Sequence, residues 1–306
     1  MGKFKFYEED GSVEELSTSD VTDLADPEQT PEPREFRDLV DFRPSHRPTR
    51  FVPRDYFLAH PVFRREEFVA AHRLYGATQA ASDSILKYHV GQRHLHVLRR
   101  GVYMVSERTA FSPWAAACKL APDATLAYLG AATFHRLLFL ENSIQILSAQ
   151  RIPAIRYGHI DISSVRAPHP REEAGVEFLH HGYQPIHTTT RERSLVDLLD
   201  RPELCPDLME LGRAFRRAGT LDTVAMLRRA HTLGNRTTCA RLGFTLELLG
   251  LGDRATLEEL WRLRPKTPAY FCRATRHHDT PWFIRRWNLV VPRDFQLGLE
   301  GRGRTQ

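Results

Sequence analysis

The chain has 306 residues, of which 42 % are hydrophobic and 26 % charged, with a formal net charge of +5. That balance excludes a wholly disordered chain, a collagen-like rod and a coiled-coil rod, and the length suits about two domains. The longest apolar run, residues 124–134, falls short of the ~18 residues a membrane span needs.

The first residues, MGKFKFYEEDGSVEE, turn acidic at once and carry no apolar core of a secretion signal, so a cytoplasmic protein is expected. Residues 1–33 hold ten acids against Lys3 and Lys5, a net −8, which leaves +13 on the rest of the chain. Only five of the 43 basic residues are lysines. Arginine's planar fork suits phosphate and base edges, so this surplus permits nucleic-acid binding without demonstrating it. Cys118, Cys205, Cys239 and Cys272 are dispersed with no CxxC pair, which argues against a disulfide framework and excludes a zinc ribbon.

Residues 1–48 combine the acidic run with five prolines and no hydrophobic periodicity, the composition of a disordered tail. An acidic arm that competes with DNA for the protein's own basic surface is the sharper expectation for it. From residue 51 the pattern changes. Residues 54–60 (RDYFLAH) read as a short helix closed by Pro61, and 64–73 (RREEFVAAHR) as a second, with Phe68, Val69 and His72 on one face. Glu66 and Glu67 sit in its first turn, where the helix dipole favours acids. Thr78 is an N-cap for a third helix to about residue 90, with Ala81, Ile85, Leu86, His89 and Val90 expected to be buried. Two β-like stretches, 95–98 and 102–105, follow around an Arg99-Arg100-Gly101 turn.

Three short helices and a basic-tipped hairpin are the order of a winged helix-turn-helix. On the third helix Thr78, Gln79, Ser82, Asp83 and Lys87 are expected to face outward. Gln79, Ser82 and Lys87 would read base edges in the major groove, with Thr78 beside them. Arg93, Arg99 and Arg100 would meet phosphates and position the duplex.

Further along, residues 122–138 (PDATLAYLGAATFHRLL) read as a buried helix of small residues. Short strands are expected at 144–147, 155–157, 160–165, 176–179 and 185–187. A helix is well signalled from the Thr188–Thr190 hydroxyls through SLVDLLD to Pro202. Helices at 206–217, 221–233, 236–251 and 257–264 and a strand around 287–291 complete the pattern.

Several stretches carry a family likeness. HPVFRREEFVAAHRLYG, SDSILKYHV and LHVLRRGVYMV resemble the N-terminal winged-helix domain of AbiEi-type antitoxins, the antitoxin halves of type IV toxin–antitoxin, or abortive-infection, systems. ERSLVDLLDRPEL resembles that family's ERTLVDLLDRPEL, departing only at Ser194. RLGF with Glu247 resembles its RLGfllE helix, and RWNLVV its closing strand. The likeness runs from about residue 51 to 293 in the right order. It implies an antitoxin role in phage defence, a nucleotidyltransferase-like toxin as partner, and Arg193, Asp197, Arg241 and Glu247 as surface or scaffold residues of the antitoxin part.

Catalytic patterns are sparse. Asp197, Asp200 and Glu203 could supply the carboxylates of a metal-dependent nuclease, yet Arg193, four residues before Asp197, explains half of that cluster as an ion pair. The histidine pairs His94/His96, His180/His181 and His277/His278 lack a third ligand at metal spacing. There is no phosphate loop, dinucleotide fingerprint, nucleophile elbow or HExxH. The four tryptophans lie outside the expected DNA-binding part and suit cores or a protein surface.

The sequence thus predicts an α+β protein, with a disordered acidic tail (1–48), a winged helix-turn-helix (49–108), a mixed sheet-plus-helices domain with a helical C-terminal part (109–297) and a short disordered end (298–306). The expected function is an autoregulating transcriptional repressor and antitoxin that binds double-stranded DNA at its own promoter, dimerises on it and opposes a toxin. No enzyme activity, cofactor, metal or membrane association is expected. A stand-alone regulator without a toxin and a nuclease are the alternatives.

Overall fold

The computed structural model describes residues 4–7, 13–16, 50–106, 112–139, 143–171, 173–181, 184–277 and 281–301. The chain divides into two compact units, residues 1–49 and 50–306. In the first, β1 (Phe4–Tyr7) and β2 (Val13–Leu16) pair antiparallel, with Phe4 opposite Leu16. The remainder of the expected tail lies outside the described residues.

The second unit is α+β. It opens with α1 (Pro53–Ala59), β3 (Val62–Arg64), α2 (Arg65–Arg73), α3 (Gln79–Gly91), β4 (Leu95–Arg99) and β5 (Val102–Val105). Proline at the first turn of α1 suits a position whose N–H would be unpaired anyway. Thr78 caps α3 as expected, accepting the Ala81 N–H at 3.2 Å. The strand β3, three residues long and too short to show a period, was not foreseen. It pairs with β5, so the hairpin becomes an antiparallel sheet of order β3-β5-β4.

Both faces of that sheet are covered, and the alternation of side chains decides which residues go where. Phe63 and Leu95 turn toward α1, α2 and α3 and join Tyr56, Phe57, Phe68 and Leu86 in one core, with Tyr103 and Val105 packed at its side. Val62, Val102 and Met104 turn the other way and pack on Ala116 of α4 (Pro113–Lys119), a helix absent from the sequence reading. Arg64 and Arg99 tie the same junction. Arg64 donates from Nε to the Lys119 carbonyl at 2.8 Å and from Nη2 to those of Cys118, at 3.0 Å, and Ala121, while Arg99 Nη1 donates to Leu120 at 2.9 Å. Two guanidiniums thereby satisfy carbonyls left open at the C-terminal end of α4. The expected boundary at 108/109 falls in residues 107–111, outside the described residues.

The centre of the unit is a six-stranded sheet of order β10-β11-β6-β7-β9-β8, built from β6 (Thr125–Ala127), β7 (Ser143–Ser148), β8 (Ile155–Tyr157), β9 (Ile160–Arg166), β10 (Val176–His181) and β11 (Gln184–Thr189). The one helix expected at 122–138 is instead β6 followed by α5 (Tyr128–Phe134). A short, wholly buried apolar run has no period to separate strand from helix. Tyr128 makes the switch at a φ of 48°. Gly130 is required next, because a Cβ there would lie 2.3 Å from the Gln145 carbonyl oxygen.

α6 (Arg191–Asp200), α7 (Leu208–Arg217), α8 (Thr223–Leu233), α9 (Arg236–Leu248) and α10 (Arg254–Leu263) then pack with α5 around the largest core, which includes Leu195, Leu198, Phe215, Leu242 and Trp287. Their N-caps are Thr190, Asp207, Asp222, Asn235 and Asp253, each side chain accepting a backbone N–H. A last small sheet, β12 (Ala269–Tyr270), β14 (Leu289–Val291) and β13 (Trp282–Ile284) in that order, precedes α11 (Arg293–Glu300). Residues 298–300, expected to be disordered, are the last turn of α11: Gly298 and Leu299 are buried, and a Cβ on Gly298 would meet the Met209 carbonyl of α7 at 2.1 Å.

Candidate nucleic-acid interface

Helix α3 is about 20 Å long at 1.5 Å per residue, and its outward face is read from burial. Gln79, Ala80, Ala81, Ser84, Lys87, Tyr88 and Gly91 are exposed, with Tyr88 60 % accessible. Ile85, Leu86, His89 and Val90 face the core as expected, and the orientation differs only in the first turn. Ala81, expected inside, is exposed, and Ser82, expected to read bases, is fully buried.

The reason is polar. Ser82 Oγ lies 2.9 Å from His72 Nδ1 of α2 and donates to the Thr78 carbonyl at 3.1 Å. A serine with both needs met can fill the contact where apolar counting would place alanine. Ser84, two residues on, takes the outward place. Asp83 is half-buried and pairs bidentately with Arg65 at 2.7 and 2.5 Å, fixing α3 to the start of α2.

The other sequence-predicted residues separate into two groups. Thr78 stays exposed but spends its oxygen on the cap, and Gln79 accepts from Arg73 at 3.4 Å. Lys87, Arg93 and Arg100 are exposed, and among the described residues none of the three is held in an ion pair. Arg93 sits in the left-handed region, φ 59°, at the turn from α3 into β4, where Ser106 Oγ donates to its carbonyl. Arg99 is half-buried, and its Nη1 donates to the Leu120 carbonyl, which gives one end of its guanidinium a structural role. The tip of the hairpin is correspondingly short, and the Gly101 carbonyl accepts the Arg65 N–H at 2.8 Å. Arg54 and Arg73, not singled out from sequence, are further exposed cations of this part.

Imidazoles are packed into the same elements. His89 Nδ1 lies 3.2 Å from His94 Nδ1, and the His89 ring stands edge-on to Phe57. Burial lowers the pKa of His60, His72 and His89, with the neighbouring charge of Lys119 adding to it at His60 and that of His94 at His89. A histidine whose folded pKa is depressed contributes stability above its unfolded pKa near 6.5, and loses it as pH falls through the folded value. The thermal midpoint is thus expected to drop between pH 7.5 and 5.5, and to drop less in a His72→Asn/His89→Asn variant. Equal drops in the two proteins would remove these rings from the account.

Of the four residues implied for the antitoxin part, Arg193, Asp197 and Arg241 are buried and Glu247 is partly exposed. Arg193 and Asp197 are buried, with the Arg193 Nε 3.4 Å from Asp197 Oδ2 and the Arg229 Nε 2.6 Å from Oδ1. Burial raises the Asp197 pKa, against the pull of Arg229 and Arg193. Arg241 closes the C-terminal end of α6, donating to the carbonyls of Leu199 at 2.7 Å and Asp200 at 3.1 Å. Burial pushes its guanidinium down to about 10, which leaves it charged at neutral pH. Glu247 accepts the Trp287 indole N–H at 2.6 Å and pairs with Arg286 at 2.6 Å.

The carboxylates proposed for a nuclease are spent separately. Asp197 is in the arginine cluster, Asp200 accepts from Thr238 and Asn235, and Glu203 pairs with Arg201. Among the described residues no group of three or more histidine, cysteine, aspartate or glutamate side chains is placed to hold a metal. His278 lies outside them. Burial pushes the thiols of Cys118 and Cys239 up to about 11 and that of Cys205 up to about 12, marking them as packing residues rather than nucleophiles. Among the described residues no helix is long and apolar enough to cross a membrane.

The class that this geometry defines is a mixed α+β protein with several sheets. Compared with known families, the chain matches no family profile, and it matches no curated protein. Among solved structures it is similar to the crystal structure of RV2827C protein from Mycobacterium tuberculosis, with a TM-score of 0.57 at 16 % identity, over 85 % of this chain and 98 % of that one. At that identity the likeness speaks for the fold alone.

Proposed function

We propose that residues 50–106 act as a winged helix-turn-helix that binds double-stranded DNA, and that the protein is an autoregulating repressor and the antitoxin of a type IV toxin–antitoxin pair. The observation that carries the DNA reading is the outward face of α3. It is a flat strip of small side chains, Ala80, Ala81, Ser84 and Gly91, bordered by Gln79, Lys87 and Tyr88. Small residues allow close approach to a groove about 12 Å wide, and Lys87, Arg93 and Arg100 supply cations free to meet phosphates. The element order α1-β3-α2-α3-β4-β5 with sheet order β3-β5-β4 supports the same reading. Base readout moves from Ser82 to Ser84, with Gln79, Lys87 and Tyr88. The antitoxin half of the proposal rests on the family resemblance, with a nucleotidyltransferase-like toxin as the partner it would counter in a bacterial cytoplasm.

The test is a gel shift of the full chain on its own upstream region. Lys87→Ala, Arg93→Ala and Arg100→Ala should each weaken binding and lower the slope of log affinity against log salt by about 0.9 per lost phosphate contact. Ser84→Ala should change the base preference, whereas Ser82→Ala should leave it unchanged. Binding no better than to competitor DNA would overturn the repressor reading. Co-expression with a nucleotidyltransferase encoded beside it tests the antitoxin role; absence of rescue, with DNA binding intact, leaves a stand-alone regulator.

A further inference from the structure

The buried arginine cluster opens to solvent on one side. Between the loop at residues 173–175, the first turn of α6 and helix α8 lies a cleft of about 350 Å³, lined by Glu173, Thr190, Glu192, Arg193, Arg228 and Arg229 among others. Arg193 and Arg229 both direct an Nη at one atom, Glu173 Oε2, at 2.6 and 3.1 Å. Asp197 holds their Nε groups from below, at 3.4 and 2.6 Å. The side chains of Arg193 and Asp197 are 2 % and 1 % exposed, whereas that of Glu173 is 32 % exposed. Three members of the cluster are locked into the core, and the fourth comes from the loop.

We infer that the Glu173 carboxylate occupies an oxyanion subsite, and that this cleft binds a ligand bearing a phosphate or carboxylate group which displaces it. With Glu173 in place the four charges cancel. With it withdrawn, two guanidiniums face the cleft over a single buried carboxylate, leaving one positive charge uncompensated. Guanidiniums meet oxyanions through paired, charge-assisted hydrogen bonds, so an incoming oxyanion restores what Glu173 supplied. Arg228 is exposed at the rim and adds a third cation. Thr190 Oγ1 accepts the Arg193 N–H at 3.3 Å and keeps its own proton to donate. Glu192 is the remaining rim acid, and it accepts the Asp222 N–H at 3.4 Å.

Gly175 makes the arrangement possible. Its φ is +80°, and a Cβ there would stand 3.1 and 3.2 Å from Arg193 Cδ and Cβ. The loop thus crosses directly over the arginine stem while its carbonyl accepts the Thr190 N–H at 2.8 Å. Phosphate, with three oxygens free to meet Arg193, Arg228 and Arg229 together, suits the cleft better than a carboxylate with two.

The experiment is thermal unfolding of the full chain at pH 7.5 in rising inorganic phosphate, succinate or sodium chloride at matched ionic strength. A saturable rise in midpoint with phosphate is expected beyond that with chloride. In Glu173→Gln the half-saturating concentration should fall about tenfold, because the competing occupant is gone. In Arg228→Ala, an exposed position, it should rise several-fold, while Arg254→Ala, an exposed cation outside the cleft, should behave as the wild type. Saturation by succinate as well would assign a carboxylate ligand, and saturation by phosphate alone a phosphorylated one. Absence of a saturable rise in both wild type and Glu173→Gln, or the same half-saturation in wild type, Glu173→Gln and Arg228→Ala, would overturn the proposal. DNA binding does not enter this test, so the two readings fail separately.

Discussion

Asp197→Ala is expected to destabilise the protein by about 3–5 kcal/mol, the cost of stranding buried charge when one partner of an ion cluster is removed. Asp197 is 1 % exposed and is the group beneath both Arg193 and Arg229. Without it the two guanidiniums keep only the half-exposed Glu173 as an anionic partner. Asp197→Asn keeps the shape and an accepting oxygen and should cost less than the alanine. The midpoint of urea unfolding reads both. An alanine variant within 1 kcal/mol of wild type would mean that water reaches the arginines and that the cluster is not a buried one.

Trp287→Ala should cost a similar amount, about 3–5 kcal/mol, through the cavity left in the largest core. Trp287 is fully buried and lies directly on Gly243 of α9, where a Cβ would fall 2.2 Å from ring atoms Cη2 and Cζ3. One turn further along α9, Glu247 accepts the indole N–H. Trp287→Phe retains much of the ring and forfeits that bond, so it separates packing from hydrogen bonding; about 1 kcal/mol is expected for the bond, because Glu247 is partly exposed and keeps Arg286 as a partner. Gly243→Ala should be destabilising for the mirror-image reason, since the ring has no room to yield in a close-packed core. A neutral Gly243→Ala would show that α9 and the Arg285–Trp287 turn are not in the contact described.

These two results bear on what the family-like stretches do. Arg193 and Asp197 come from ERSLVDLLDRPEL, Arg241, Gly243 and Glu247 from the RLGF helix, and Trp287 from RWNLVV. Folded, they become three interlocking devices: an ion cluster under α6, an arginine closing α6 from α9, and an indole seated on a glycine. Arg193, Asp197, Arg241 and Trp287 are buried, and Glu247 is about one-third exposed. The exposed cations Lys87, Arg93 and Arg100 lie on other segments, whereas Arg193 borders the Glu173 cleft.

By itself the sequence determined the α+β class, most helices of the C-terminal half and five of the six strands of the central sheet. Those elements announce themselves locally: the Thr188–Thr190 hydroxyls mark a cap by residue type, and residues 160–165 alternate visibly enough to read as a strand. The order of helices and hairpin before residue 106 was legible for the same reason. Tertiary structure alone decided the rest. β3 and β6, at three residues each, carry no period, and only a neighbouring strand gives them a place. Ser82 went inward because His72 on another helix offered a polar partner. Arg99 turned one N–H to the end of α4 because that helix, unseen in the sequence, presented an open carbonyl. Asp197 became a structural anion because Arg229, thirty-two residues away in sequence, arrives beside it on α8. In each case the deciding interaction joins residues distant along the chain, and local pattern carries no record of what the fold will bring into contact.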